Sequence, residues 1–419
     1  MKSFMSVLSS LIVLMSVSWS CYPKEDVNGL STGKDTVGID TVKDEGGTTT
    51  VDPKTDPSYT GKETEFPIVS YSVVFTQGES GYAFFRIPTL IKSAQGDLLC
   101  FAEGRVDGKS DFGNIDIVLK RSEDGGKTWG KLIVVKDDGK NRCCNPVPVS
   151  LENGKILLVY CWNLDGASSS QAVYATFSDD EGLSWSPSSD ITSQISRLGD
   201  SGYLTGPVHG IVKQFEPHKG RILIPARCKS SLEKPSHVVY SDDGGITWSK
   251  GSSASYDHEN ENTIAELANG DILMNMRNYN SAITEWFRYD AISSDGGDTF
   301  SSTRMTDLVE PKMGCQGSLL TYVNDVRKGN SIVLFSNPTH SSSRRYGAVK
   351  VSYDSGKTWT KMYRYVDDSG DGMYSAYSDM ALLNNMKTIG VVYEAGQNYT
   401  GGIVFKSFDF SSIKDNYTY

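Results

Sequence analysis

The sequence is poor in the residues that build metal sites. Its five histidines are scattered over 419 residues without an HExxH pair, and its seven cysteines include no CxxC spacing. We therefore expect neither a catalytic metal nor any other cofactor. An excess of positive charge is also lacking, since the formal net charge is −10, which argues against nucleic acid or an anionic membrane as a partner.

Long apolar runs are scarce as well. The run Leu8–Val17 lies within residues 1–20 and is too short for a stable membrane span, so it predicts a secretion signal. Cys21 stands where a lipoprotein signal is cut and the cysteine is acylated, with simple cleavage as the alternative. We therefore expect export to the periplasm or the cell surface, with a lipid on Cys21 or as a secreted protein.

Residues 21–65 contain almost no large apolar side chain and are rich in Gly, Thr, Asp and Lys. Such a segment cannot bury enough surface to order itself, which predicts a flexible polar linker before a domain at 66–419. Disulfides and buried free thiols both suit the cysteines of that domain. These are Cys100, Cys143, Cys144, Cys161, Cys228 and Cys315.

One short pattern occurs five times, and we call each copy an Asp-box turn. The aspartates at the third position are separated by 56, 63, 52 and 59 residues, which is the spacing of an architectural repeat. The copies are SEDGGKTW at Ser122–Trp129, SDDEGLSW at Ser178–Trp185, SDDGGITW at Ser241–Trp248, SSDGGDTF at Ser293–Phe300 and SYDSGKTW at Ser352–Trp359.

Each copy follows a run with strand character and supplies Asp and Gly for a tight turn before an aromatic that can pack. Calcium loops also contain Asp and Gly, but none of the copies has the ligand set of such a loop, so we interpret them as structural turns. About four short strands fit within one repeat. The 354 residues of 66–419 therefore predict an all-β fold, a six-bladed β-propeller with four antiparallel strands per blade and one blade without the turn.

Before the first Asp-box turn stands the segment Phe85-Arg86-Ile87-Pro88. This FRIP segment, followed by several Asp-box turns, resembles the bacterial sialidases (neuraminidases) from about residue 66 to the C-terminus. The resemblance implies an exo-α-sialidase that acts with retention through a tyrosyl-enzyme intermediate. Its substrates would be sialylated glycoproteins, glycolipids or oligosaccharides, and we expect a monomer.

Sialidases bind the substrate's carboxylate with three arginines. The resemblance places them at Arg86 in FRIP, Arg277 in NMRN and Arg344 in NPTHSSSRRYG, with Arg345 as an alternative to Arg344. Guanidinium groups suit this task because they stay charged and match the two oxygens of a carboxylate. The plain alternative is a set of separate salt bridges.

The resemblance also places a general acid and base on the segment FAEGRVDGKSDFGNIDIV. Asp111 fits the spacing better than Asp107 or Asp116, which remain the alternatives. Arg105 resembles a residue that contacts the sugar, with a salt bridge to a nearby acid as its alternative.

A glutamate sixteen residues before the second arginine is the family's base, which identifies Glu261 rather than Glu259 or Glu266. Glu266 lies in a hairpin pattern and is expected to face solvent or to pair locally. Tyr377 matches the family's nucleophile, and Glu394 matches the acid that holds the first arginine.

Two rival functions remain at this stage. A trans-sialidase or intramolecular trans-sialidase would use the same residues and differ in the acceptor. A non-catalytic glycan-binding propeller is of another class, and the joint presence of Tyr377, Glu261 and Asp111 argues against it.

Overall fold

The computed structural model describes residues 68–410, apart from 166, 168–171, 232–234, 255–257, 284–285, 326–328, 367–373, 384–386 and 397–400. The predicted signal at 1–20, Cys21 and the linker at 21–65 lie outside the described residues. The same is true of the two ends of the predicted domain, 66–67 and 411–419.

Almost all of the regular secondary structure in the described residues consists of β-strands, which confirms the predicted all-β class. A 3₁₀ turn at Glu79–Gly81 and the four-residue helix α1 at Thr192–Ile195 are added to them. Within the described ranges, no helix has the length and apolar character needed to cross a membrane. The strands are β1 Ile68–Phe75, β2 Phe84–Lys92, β3 Leu98–Arg105, β4 Ile115–Ser122, β5 Ile133–Lys136, β6 Arg142–Ser150, β7 Ile156–Asn163, β8 Ala172–Ser178, β9 Ser189–Asp190, β10 Asp200–Thr205, β11 Ile211–Val212, β12 Ile222–Ser230, β13 Ser236–Ser241, β14 Ser249–Lys250, β15 Glu259–Glu266, β16 Ile272–Asn278, β17 Phe287–Ser293, β18 Arg304–Val309, β19 Ser318–Asp325, β20 Asn330–Pro338, β21 Gly347–Ser352, β22 Lys361–Arg364, β23 Ser378–Leu382, β24 Thr388–Glu394 and β25 Ile403–Asp409.

These strands form groups that are consecutive in the chain. Three groups are separate sheets, β15–β18, β19–β22, and β10–β14 in which β11 is an extra strand paired with β12. The groups β2–β5 and β6–β9 make one eight-stranded sheet, joined among the described residues by a parallel pair between Ile115 and Arg142. The last group contains β23, β24 and β25, and β1 completes it as the outer strand.

The Asp-box turns join the third strand of a group to the fourth. The serine of every copy is the last residue of that third strand. In the first copy Ser122 Oγ donates to Asp124 Oδ1 at 2.8 Å and accepts from the Gly126 amide at 2.8 Å. Thr128 donates to the same carboxylate through its amide at 2.9 Å and its hydroxyl at 2.6 Å. The carboxylate is thus occupied by its own turn, as a structural turn requires.

The group without an Asp-box turn is the one that contains β1 and β25. These strands are antiparallel, with Tyr71 opposite Lys406 and Val73 opposite Val404. The third and fourth strands of this group therefore come from opposite ends of the described chain. No turn connects them, which accounts for the missing sixth copy.

Among the described residues, six hydrophobic clusters form the core, and each contains side chains of two consecutive groups. One of them joins the last group to the first, with Phe405 of β25 and Leu98 of β3 among its members. The clusters therefore connect the groups in a closed circuit. Every group is held on both sides by apolar burial, which is the main favourable contribution to folding.

The six described cysteines are buried free thiols in this structure: Cys100, Cys143, Cys144, Cys161, Cys228 and Cys315. Burial raises the pKa of the Cys143 thiol to about 12 and that of Cys228 to about 11. A protonated thiol is a poor nucleophile, so these cysteines act as small apolar core residues.

Candidate active site

Arg86 lies inside β2. The register between β2 and β3 shifts between Arg86 and Thr89, and Ile87 has φ of 60°. This bulge takes Pro88, which has no amide hydrogen, out of the hydrogen-bonded ladder and lets the strand continue. A β-branched residue in the left-handed region is strained, so surrounding contacts must hold the bulge.

Glu394 at the end of β24 supplies those contacts. Its Oε1 accepts from the Ile87 amide at 2.9 Å and from Arg86 Nε at 3.1 Å, and its Oε2 accepts from Arg86 Nη2 at 3.3 Å. Both side chains are largely buried. Glu394 therefore fixes the backbone and the guanidinium of the FRIP segment together, although 308 residues separate it from Arg86.

Asp111 lies on the loop between β3 and β4, with its side chain 17% exposed. Its Oδ1 is 2.8 Å from Arg105 Nη1 and 3.3 Å from Arg86 Nη1. Burial alone would raise the pKa of Asp111, but the charges of Arg105 and Arg86 outweigh that effect and hold the pKa below its usual value. The carboxylate is therefore ionised in the free protein at neutral pH.

Arg105 is the last residue of β3 and is almost fully buried. It donates to Glu103 Oε2 at 2.6 Å, a salt bridge of the kind that was its alternative interpretation, and also contacts Asp111. Glu103 Oε1 accepts in turn from the Asn145 amide at 3.0 Å. Sequence reasoning missed Glu103, although residues two apart in a strand share a face and a Glu-Gly-Arg run was a signal for this pair.

Arg277 in β16 is fully buried and has partners on two sides. Its Nη1 donates to Glu261 Oε2 in β15 at 2.7 Å. Its Nε and Nη2 both donate to the main-chain oxygen of Met313, at 3.1 and 2.9 Å. Burial would lower the pKa of this guanidinium, but the attraction of Glu261 raises it above its ordinary value. Met313 acts through its backbone, so no side-chain pattern could have identified it.

Tyr377 directly precedes β23 and is 1% exposed. Its hydroxyl donates to Glu261 Oε1 and accepts from Arg277 Nη1 at 3.2 Å. The guanidinium carbons of Arg86 and Arg344 lie 5.7 and 5.4 Å from the centre of its ring. The structure thus brings the three predicted arginines around a single tyrosine that is hydrogen-bonded to a carboxylate.

The structure separates Arg344 from Arg345. Both lie between β20 and β21, but Arg344 is half-buried over Tyr377, whereas the side chain of Arg345 is exposed. The backbone of Arg345 makes an isolated bridge to Tyr374. Arg344 is therefore the one that extends toward the other site residues.

The alternative carboxylates lie elsewhere. Asp107 is exposed, and Asp116 accepts from the Tyr82 hydroxyl at 2.7 Å. Glu266 was expected to face solvent or to pair locally, and that expectation is wrong. It is buried and contacts Lys213 at 2.7 Å, a residue 53 positions away, because β11 and its flanking residues cover that end of β15.

Gln316 is a further contact that sequence reasoning missed. Its Oε1 accepts from the Ser378 amide at 3.0 Å, and its Nε2 donates to the Ser378 carbonyl at 3.0 Å. This side chain holds both backbone groups of the residue that follows Tyr377. It therefore restricts the start of β23 and, with it, the direction of the tyrosine.

The arrangement has defined chemical capacities. Three guanidinium groups can bind one anion, Tyr377 can transfer its proton to Glu261, and Asp111 can exchange a proton with a bound molecule. Among the residues that the structure describes, no group of three or more His, Cys, Asp and Glu is arranged to hold a metal ion.

A cavity of about 450 Å³ lies apart from this site, between the β15–β18 and β19–β22 groups. It is lined by Asp290, Arg304 and Lys357 among others, and none of the predicted site residues lines it. Arg304 contacts Asp290 at 3.2 Å. Within this cavity Arg304 and Asp290 are thus paired with each other.

Comparisons with known proteins identify the family to which the chain belongs. The sequence profile of the BNR repeat-like domain matches residues 96–391. The sialidase of Bacteroides fragilis (strain YCH46) is 28% identical over 365 residues, which are 81% of this chain and 64% of that protein. The sialidase of Micromonospora viridifaciens is 29% identical over 82% of this chain and 54% of its own length. The chain thus spans between half and two thirds of these two relatives.

A solved structure shows a related fold. The Hadza microbial sialidase Hz136 superposes with a TM-score of 0.71 at 24% identity, over 82% of this chain and 69% of that one. Because the domain profile covers most of the sequence, the chain belongs to the family of proteins with a BNR repeat-like domain, and the two relatives compared above are bacterial sialidases.

Proposed function

We propose that this protein is a retaining exo-α-sialidase that removes terminal sialic acids from glycoconjugates. The observation that carries the proposal is the contact of Tyr377 with Glu261 inside a ring of three arginines. Similarity to sialidases over four fifths of the chain supports the same activity. A trans-sialidase and an intramolecular trans-sialidase would each release a different product, and a glycan-binding propeller would release none.

The three arginines would hold the carboxylate of the sugar. Arg86 and Arg277 are fixed by Glu394, Glu261 and the Met313 carbonyl, so their guanidinium groups are oriented before the substrate arrives. Preorganised donors lose little entropy on binding and keep their orientation in the transition state.

A tyrosine suits the nucleophile because of the substrate's own charge. The anomeric carbon of sialic acid bears a carboxylate, which would repel an ionised Asp or Glu, whereas a neutral phenol avoids this repulsion. Glu261 would accept the phenol proton as the oxygen attacks, and Arg277 Nη1 would stabilise the charge that develops on that oxygen.

Asp111 would supply the second proton transfer. It would protonate the departing glycosidic oxygen and then deprotonate the water that cleaves the tyrosyl intermediate, so that two displacements give net retention. In the free protein Arg105 and Arg86 keep this carboxyl ionised. A bound substrate carboxylate would reduce the positive field of Arg86 and raise the pKa of Asp111 toward that of a proton donor.

We also propose that the strand groups are the blades of a six-bladed propeller. The closed circuit of hydrophobic clusters and the completion of the last group by β1 support this architecture. The eight-stranded sheet would then be two blades joined at Ile115 and Arg142. An experimental structure with another number of radial sheets would contradict the proposal.

One experiment tests the function. A fluorogenic sialoside is incubated with the protein while NMR follows the anomeric form of the released sugar. Retaining hydrolysis gives α-sialic acid first, inverting hydrolysis gives the β anomer first, and intramolecular transfer gives an anhydro sugar. Transfer to added lactose identifies a trans-sialidase, and binding without any product identifies a glycan-binding propeller.

A further inference from the structure

The loop that carries Asp111 lies at the junction of two strand groups. It runs between β3 and β4 of one group, where a hydrogen bond from the Val106 amide to the Asn114 carbonyl at 3.1 Å closes its base. Within its own group, Arg105 contacts the Lys109 carbonyl at 2.6 Å and Asp111 Oδ1 at 2.8 Å. These contacts attach the loop from one side.

Arg142, the first residue of β6, contacts the same loop from the next group. Its Nη1 donates to the main-chain oxygen of Asp111 itself. Its guanidinium carbon lies 5.1 Å from the centre of the Phe112 ring, within the range of a cation–π contact. One side chain thus contacts the backbone of Asp111 and the ring of the residue that follows it.

Arg142 is itself held in place. It is 6% exposed, and its Nε donates to Asn163 Oδ1 in β7 at 3.2 Å. Arg142 and Asn163 are opposite each other in the β6–β7 ladder, so their contact is fixed by the register of the sheet. The guanidinium is therefore a rigid support and not a flexible surface group.

The position of a proton donor is exacting, since a misplacement of about 1 Å can reduce a rate about 100-fold. Arg105 and Arg86 attract the carboxylate of Asp111 toward one side. Arg142 attaches its main chain on the other side. Removing Arg142 would remove this contact from the main chain of Asp111, while Arg105 and Arg86 would still attract its carboxylate.

We propose that Arg142 is the positioning residue of the acid–base loop, and that it sets where Asp111 delivers its proton. This inference rests on the proposed role of Asp111. Its rival is a purely structural role, in which Arg142 stabilises the junction of the two groups. The backbone pair between Ile115 and Arg142 does not need the side chain, so substitutions can separate the two roles.

The experiment measures kcat/KM of Arg142→Ala, Arg142→Lys and Asp111→Ala on two substrates. An activated aryl sialoside hardly needs a proton donor, whereas a lactosyl aglycone is a poor leaving group that does. We expect Arg142→Ala to lose about 100-fold on the lactosyl substrate and at least about tenfold less on the aryl substrate. Arg142→Lys should lose less, because a lysine can still donate to the Asp111 carbonyl.

The double variant Arg142→Ala with Asp111→Ala sharpens the test. If Arg142 acts through Asp111, the double variant should be no slower than Asp111→Ala alone. Phe112→Leu removes the ring contact only and should show a smaller loss of the same kind, which preserves the test if Arg142→Ala folds poorly.

Arg221→Ala is the matched control. Arg221 is also a buried arginine over an aromatic ring, 3.9 Å from the centre of Tyr240, and pairs with Asp242 at 2.7 Å, far from Asp111 in the chain. We expect its loss, if any, to be equal on the two substrates. The melting temperature of each variant shows whether a loss of activity is caused by a loss of folding stability.

The outcomes are distinct. Equal losses of Arg142→Ala on both substrates, or a further loss in the Asp111→Ala background, would overturn the positioning role and leave the proposed function intact. If Asp111→Ala itself shows no dependence on the leaving group, the assignment of the acid fails and the role of Arg142 fails with it. The measurements on Asp111→Ala alone are enough to recognise this outcome.

Discussion

The carboxylates of the Asp-box turns and those of the candidate site are held in opposite ways. Asp124 and Asp243 are exposed, and their partners are the serine two residues before and the threonine four residues after. Glu261 and Glu394 are buried, and their partners come from other parts of the chain, 16 to 308 residues away.

The difference follows from what each carboxylate does. A turn is stabilised by its own backbone amides, so the same few residues can be repeated wherever a group needs that turn. A site needs several unlike groups at one place, which only the assembled groups can bring together. Substitutions should therefore affect stability in the turns and rate at the site.

The largest expected effect is at Tyr377. Tyr377→Phe removes the oxygen that would attack the sugar, and we expect kcat to fall about 1000-fold or more with little change in melting temperature. Tyr365→Phe is the control, since Tyr365 is also buried with its hydroxyl 3.0 Å from Ser336 Oγ. If Tyr377→Phe turned over substrate as fast as the wild type, Tyr377 could not be the nucleophile.

The same assignment can be tested by trapping. A 2,3-difluoro sialosyl fluoride slows the breakdown of the intermediate and should add one sialyl group to the wild-type protein. Peptide mapping by mass spectrometry should locate this group on Tyr377. A label on Glu261 or Asp111 would mean that a carboxylate is the nucleophile.

The next largest effect is expected at Arg277. Its substitution should reduce activity, and a lysine, which keeps the positive charge, should not restore it. Arg277→Ala should lose about 2 to 5 kcal/mol of transition-state stabilisation in kcat/KM. Arg277→Lys should recover little, because one ammonium group cannot reach Glu261 and the Met313 carbonyl in the geometry of the guanidinium fork. Near-native kcat/KM of the lysine variant would contradict bidentate recognition.

A smaller effect should appear in the pH profiles. Asp111 must be protonated to act as an acid, and its pKa in the free protein is low, so kcat/KM on a lactosyl sialoside should fall about tenfold per pH unit above that pKa. Since substrate binding would raise the pKa of Asp111, the corresponding fall in the pH profile of kcat should occur at higher pH than the fall in kcat/KM. If kcat and kcat/KM fell at the same pH, the bound substrate would not change the pKa of Asp111.

The smallest effect is expected in the turns. Asp243→Ala should lower the free energy of unfolding by about 1 kcal/mol in urea denaturation and leave kcat/KM unchanged. Hydrogen bonds from Thr247 lower the pKa of Asp243 to about 2. Its contribution is therefore present above the unfolded pKa of about 3.9 and is lost as pH falls toward 2. If Asp243→Ala lost activity but kept its stability, the Asp-box turns would not have the purely structural role expected of them.

Sequence analysis reached the turns and the named site residues by different routes. The Asp-box turns are encoded in eight consecutive residues, so the all-β class and the repeat followed from spacing. The site residues depended on a resemblance, because nothing local in the chain relates Tyr377 to Glu261 or Arg86 to Glu394. The structure brings these pairs into contact.

Two of the contacts that sequence analysis missed share a physical cause. Met313 and Asp111 receive arginine contacts on their main-chain oxygens, which every residue possesses, so neither Met313 nor Arg142 has a sequence signature. Glu103 differs, because its spacing to Arg105 in one strand was a usable signal. The position of the group without a turn also required the structure, since only the pairing of β1 with β25 shows it.

The pairing of β1 with β25 has a consequence for biosynthesis. On the ribosome β1 emerges early, with the apolar side chains of Val74 and Phe75 that are buried in the finished protein, and its partner β25 is more than 300 residues behind it. Tyr377, which directly precedes β23, and Glu394 at the end of β24 both lie late in the chain. A chain that ends just before Tyr377 therefore carries Arg86, Arg277 and Arg344 but lacks the proposed nucleophile, so the proposed activity would arise only when synthesis is nearly complete.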